Sequence, residues 1–201
     1  ISSISFNVVF ILLIILVSSF IPSMLEKGNI DLLISKPISR SNIILGKFIA
    51  TNVIVFAILT YLIGCIWLMV SLKTGVWHFP FLYSIIGFTL IFAILYSLIL
   101  LVGLISQSTI ISILVNVLLF FPITGLLSTR EGMYTMVTSK PVQGVIDFFY
   151  YILPKPWDIH DMVLKIIAGQ PVESWQPLIT SLVFMFAMLS LSIYYFKKKD
   201  Y

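Results

Sequence analysis

Charge is scarce in this chain: Asp, Glu, Lys and Arg make up 10% of 201 residues, against 60% apolar side chains. Soluble domains carry about a quarter charged residues. With a mean hydropathy of +1.11, a soluble globular protein is excluded and a membrane protein remains. Cysteine occurs once, as Cys65 within an apolar run, so neither an internal disulfide nor a cysteine-based metal site is available. The chain has no GxxxxGK[ST] stretch and so does not bind ATP through a P-loop of its own. Ionisable groups are missing from the centre of every long apolar run. Ion-coupled carriers and intramembrane hydrolases need such groups, since charge in lipid is costly and functional where it occurs; both classes are disfavoured. The start of the chain lacks the basic segment and small-residue cleavage site of a signal peptide.

What remains is hydrocarbon in long, continuous runs. Roughly 18 or more apolar residues cross the bilayer core as a helix, and the runs do not alternate as barrel strands would. Five runs qualify, at about Ile4–Met24, Ile43–Leu72, Phe79–Ile105, Thr109–Leu127 and Pro177–Phe196. The expected fold is all-α: a polytopic membrane protein forming a single domain over residues 1–201. Lys27, Lys36, Arg40 and Lys47 crowd the first connection, and Lys197, Lys198 and Lys199 follow the last run. The positive-inside rule puts both clusters in the cytoplasm, and five spans bring them to the same face. The first residue then lies outside, which leads to the expectation of a sixth, preceding span in the complete subunit. The net charge of +4 gathers beside the spans, which suits a lipid surface and not nucleic acid.

The external segment, about residues 128–176, carries two short helical patterns. From Pro141, apolar residues recur at Val142, Val145, Ile146, Phe149 and Ile152. Leu153-Pro154-Lys155-Pro156 breaks the pattern. A second helix is expected with Asp158 as its N-cap, apolar at Ile159, Met162, Val163 and Ile166, ending at Gly169. Each is too short to span, so the pair is expected to be re-entrant or interfacial, with Tyr150, Tyr151 and Trp157 at headgroup level. His160 and Asp161 adjoin Asp158, but residues two apart on a helix diverge, so no metal site is expected. His78 beside Trp77 reads as an interfacial pair.

The first connection, about residues 25–47, is the most distinctive stretch: "EKGNIDLLISKPISRSNIILGK". Gly28 ends one helix, Asn29 caps a short new one with Asp31 in its first turn, Pro37 stops it, and Ser39 or Ser41 caps the next. The residues alone allow either an anchored surface loop or an amphipathic helix that docks a partner. The order Glu26, Gly28, Asp31-Leu32-Leu33, Ser35-Lys36-Pro37-Ile38-Ser39-Arg40 and Gly46-Lys47 resembles the signature of type-2 ATP-binding-cassette exporter permeases. Leu153-Pro154, the Ile166–Gly169 stretch and the lysine-rich end add weaker likeness.

The resemblance implies that this connection is a cytoplasmic coupling helix seated in an ATPase subunit. Glu26, Gly28, Asp31, Leu32, Leu33, Lys36, Pro37 and Arg40 would form that interface, with Leu32 and Leu33 in the partner's groove. It implies two cassette subunits carrying ATP and Mg, a second permease copy, identical or related, and a bacterial or archaeal cell membrane with the C-terminus inside. The chain itself would bind no cofactor. Among the few polar residues within spans, Ser112, Asn116 and Thr124 mark either a helix interface or a translocation path; an amide at mid-depth wants a partner. The mostly apolar interior leans toward a hydrophobic or amphipathic cargo. A membrane scaffold that recruits a soluble partner is the competing reading.

Overall fold

A computed structural model describes residues 39–134 and 139–198, with the side chains of Arg40, Glu131 and Met133 left aside. All regular structure among the described residues is helical, with four helical stretches long and apolar enough to cross a membrane: Ser41–Thr74, Phe79–Ser106, Thr109–Ser128 and Gln176–Lys198. Each falls within a few residues of a span expected from hydropathy. The expected span at Ile4–Met24 and most of the first connection lie outside the described residues.

Helix α1, Arg40–Thr74, starts where the sequence provides a cap: the Ser39 hydroxyl accepts from the Asn42 amide at 3.3 Å. It ends on Gly75, whose left-handed φ of 73° glycine adopts without steric cost. Along it, Ile44, Thr51, Val55, Leu59 and Ile63 are buried, a stripe at helical spacing that packs on α2, Tyr83–Ser106. Most of the remaining surface of α1 is exposed hydrocarbon, Tyr61 and Met69 among it. That pattern suits lipid, which does not penalise apolar exposure.

The central helix is α2, entered through a 3₁₀ turn at Phe79–Leu82. Ile91, Phe92, Tyr96, Ile99, Leu100 and Leu104 on it are fully buried. It touches α1, α3, α7 and α8, the elements that surround it. A hydroxyl pair ties it to α1: Thr51 Oγ1 donates to Tyr96 Oη at 3.1 Å. Gln107 then takes a left-handed φ of 52°, and Ser108 caps the next helix.

The third span is composite. Helix α3, Thr109–Leu118, runs into a π-helical segment, Leu119–Ile123, and resumes as α4, Thr124–Ser128. Pro122 lies inside the π segment, where it removes one backbone donor and its ring crowds the preceding turn; widening the helix relieves the crowding. Hydropathy alone gave one uninterrupted run here. A one-turn helix α5, Arg130–Tyr134, follows, then the pair α6, Lys140–Ile152, and α7, Pro156–Ile167. Helix α8, Gln176–Lys198, closes the described bundle, burying Ser181, Phe184, Met185, Leu189, Ser192 and Phe196 along one face.

Helix α7 lies against the first half of α2, and Gly87 is what lets it approach. A Cβ at position 87 would collide with Cγ2 of Val163, a β-branched side chain with little rotamer freedom in a helix. Gly87→Ala is expected to cost about 1–3 kcal/mol by overpacking, read as thermal unfolding of the detergent-solubilised chain. Adding Val163→Ala should recover most of that loss; a double variant as unstable as the single one would mean that the two helices do not meet there.

Candidate functional site

The expected coupling residues Glu26, Gly28, Asp31, Leu32, Leu33, Lys36 and Pro37 lie outside the described residues, and Arg40 is described only as the first residue of α1. Ser112, Asn116 and Thr124 are each buried along the composite span. Each is turned back on its own helix. Ser112 Oγ donates to the Ser108 carbonyl at 3.0 Å, Asn116 Nδ2 to the Ser112 carbonyl at 3.0 Å, and Thr124 Oγ1 to the Phe120 carbonyl at 2.7 Å. Asn116 Oδ1 has no hydrogen-bond donor.

The densest polar construction is at the other end of the bundle, around the turn between α6 and α7. Pro141 stands in the first turn of α6, as its pattern predicts. The start of α7 differs from expectation: Pro156 occupies the first helical position and Lys155, not Asp158, is the N-cap. Proline fits that position because its missing N–H would have been unpaired anyway. Asp158, freed from capping, accepts from the Tyr150 hydroxyl at 2.7 Å and so ties α7 to α6. At its far end α7 stops as expected: Gly169 has φ 68°, the Gln170 amide returns to the Lys165 carbonyl, and the Gly169 amide to Ile166, the Schellman closure.

The turn itself is buried at Pro154, Lys155 and Pro156. Its backbone amide at Lys155 donates to Ser181 Oγ at 2.9 Å, and Lys155 Nζ donates to Thr180 Oγ1 at 3.2 Å, both on α8. On the other side Trp157 Nε1 donates to the Phe120 carbonyl at 2.9 Å, and its ring stacks on Phe120 with centroids 5.3 Å apart. Phe120 sits about 12 Å along the helix from Ser128, at ~1.5 Å per residue.

Tyr150 is held between two cations. The Arg130 guanidinium lies 3.5 Å from its ring centre and Lys155 Nζ 3.9 Å, a cation–π arrangement that strengthens where water is excluded. Arg130 also pairs with Asp147 at 3.2 Å, and Tyr134 donates to the same carboxylate oxygen at 2.5 Å. Burial holds the Lys155 ammonium down to about 8 from its ordinary 10.5, with Asp158 opposing the fall and Arg130 adding to it. Burial pushes the Asp158 carboxyl up, while its bond from Tyr150 and the charge of Lys155 pull it back.

Two further contacts carry no signature in sequence. His78 Nε2 lies 2.9 Å from the Ile167 carbonyl at the end of α7, and the His78 carbonyl accepts from Trp67 Nε1 of α1 at 3.0 Å. His78 therefore joins α1, the 3₁₀ turn and α7, where the sequence suggested only an interfacial pair. His160 stacks on Phe88 of α2, 6.1 Å between centroids, with its Nδ1 3.3 Å from Asp161. Asp158 and His160 do point apart, toward α6 and α2. No group of three metal-ligating side chains occurs among the described residues.

The family model described as ABC-2 family transporter protein matches residues 4–201. The chain belongs to the ABC-2 transporter family. It is a permease subunit of an ABC transporter, a membrane component that normally works with ATP-binding cassette partners, where the ATPase activity resides. No curated protein and no solved structure matches the chain.

In this ABC-2 permease the buried Lys155 gives a signed pH dependence. A base whose folded pKa is depressed leaves the unfolded state holding more protons between the two values, so stability rises with pH there. From about pH 8 to 10.5, the wild-type chain should gain thermal stability relative to Lys155→Met, which lacks the titrating group. Parallel curves for the two proteins over that window would show that the ammonium is not desolvated in the fold.

Proposed function

We propose that this permease is the membrane half of an ATP-driven exporter, assembled from two permease copies, identical or related, and two cassette subunits. The observation that carries this reading is the residue 26–40 block inside a family match spanning residues 4–201, followed at once by a capped, unbroken 35-residue helix. A rigid helix starting at the coupling block suits the transmission of cassette closure into the bilayer. The leucines at 32 and 33 fill the cassette groove, Lys36 and Arg40 meet its acids or lipid phosphate, and Asp31 favours the start of the short helix.

In the same reading the lysine-rich end after α8 is cytoplasmic and the α6–α7 pair is external. The pair enters the outer leaflet as a re-entrant hairpin, which the buried Pro154–Pro156 turn and the depth of the Trp157 bond along the third span support. The cargo is hydrophobic or amphipathic, in keeping with spans that hold no central charge.

The test is reconstitution with a cassette protein encoded beside the permease. The pair should co-purify in detergent and hydrolyse ATP with Mg. Leu32→Asp with Leu33→Asp should lower hydrolysis at least tenfold while the permease still inserts in the membrane. Failure to associate with any cassette ATPase would overturn the reading, and full activity in the double variant would remove the block from the coupling role.

A further inference from the structure

Two cavities flank α7 at the hairpin end, and they differ sharply in chemistry. One, about 560 Å³, has a charged wall that includes Arg130, Asp158, Asp161, Lys165 and Glu173. The other, about 270 Å³, is apolar, bounded by Leu90 of α2, Ile159 and Ile166 of α7 and Leu178 of α8, with Tyr83 and Trp175 also on its wall. Met162 lines both. On α7 the charged wall uses positions 158, 161 and 165 and the apolar wall 159, 163 and 166, faces roughly 130° apart at about 100° per residue. The cavities are thus neighbours around one helix, with the flexible thioether side chain of Met162 on the wall of each.

The occupant follows from what reaches each cavity. The apolar one is cut into the opening turns of two candidate spans, Phe79–Ser106 and Gln176–Lys198, where hydrocarbon and not water is the solvent, and an apolar wall holds no water. Tyr83 and Trp175, both more than half exposed, are the amphipathic aromatics that settle at headgroup depth. The charged cavity offers both signs, two cations and three carboxylates. Glu173 already pairs with Lys165 at 2.7 Å and Asp158 accepts from Tyr150, so Asp161 is the carboxylate that an anionic headgroup would meet most directly, and it repels one. A headgroup carrying both phosphate and ammonium meets each sign, with the 71% exposed Asp161 side chain open to the ammonium.

We propose that the two cavities form one bipartite site for a zwitterionic aminophospholipid of the adjoining leaflet, its headgroup in the charged cavity and an acyl chain in the apolar one. The site goes beyond the exporter reading, because a lipid bound here holds the hairpin against α2 and α8 whatever the cargo is. Its leaflet is the outer one under the orientation proposed above, but binding does not depend on ATP or on a cassette partner.

The full-length permease, reconstituted in nanodiscs of equal phosphatidylethanolamine and phosphatidylglycerol and released for native mass spectrometry, reads this directly. One phosphatidylethanolamine per chain should survive release, at least fivefold over phosphatidylglycerol. Ile166→Trp, which fills the apolar cavity, should lower that retention about tenfold, whereas Ile58→Trp on the exposed face of α1 should leave it unchanged. Should Ile166→Trp fold poorly, the surface change Asp161→Lys serves in its place and should shift preference toward phosphatidylglycerol. Equal retention of the two lipids by wild type, loss in Ile58→Trp as large as in Ile166→Trp, or an unmoved preference in Asp161→Lys would overturn the site.

Discussion

The carbonyl of Phe120 is the atom on which the hairpin end of this bundle depends. Inside a bilayer every backbone polar group must find its partner within the protein, and one left bare costs several kcal/mol. Pro122 removes a donor from the third span and the helix widens to a π turn around it. Phe120, within that turn, receives two side-chain donors, Thr124 from its own helix and Trp157 from the hairpin. The indole therefore fixes where the α6–α7 turn must sit. Once it is there, the Lys155 amide and ammonium reach Ser181 and Thr180, Lys155 covers Tyr150, and α7 meets α2 at the gap left by Gly87.

The hairpin is thus tied at two depths. Trp157 anchors its buried turn to the third span, and His78 anchors the end of α7 to the loop that Trp67 of α1 holds. Between them, α7 presses on α2, which also contacts α1, α3 and α8. Under the exporter reading, motion entering α1 at the cytoplasmic end has a continuous packed route to the hairpin, through elements that move as rigid bodies. The exposed apolar faces of α1 and α8 leave those helices surfaces for lipid or a second permease.

The spans were legible because bilayer hydrocarbon imposes a length and a composition that no packing detail overrides. Four described spans fall close to their expected limits, and Ser39, Gly169 and Pro141 act as their residue types indicate. Asp158 was misread as a cap because the proline two residues before it, at the first helical position, set the start of α7. The π turn was signalled by Pro122 but not by hydropathy, which counts side chains and not backbone donors. His78, Trp157 and Lys155 act across long sequence separations, through partners on other helices, and nothing in their neighbourhoods announces that. The coupling block was legible only by its likeness to a family, since an amphipathic surface loop has the same composition.

The central claim, that one indole donor on the Phe120 carbonyl holds the hairpin to the third span, is tested most directly by amide hydrogen exchange on Trp157→Phe. Phenylalanine keeps an aromatic ring for stacking and removes the N–H. Losing the donor removes one of the carbonyl's two side-chain partners and leaves it Thr124, a net cost of about 0.5–1.5 kcal/mol, so exchange should rise roughly threefold or more in both residues 119–125 and α7. Unchanged protection in both segments would contradict the account and leave the hairpin held by packing alone.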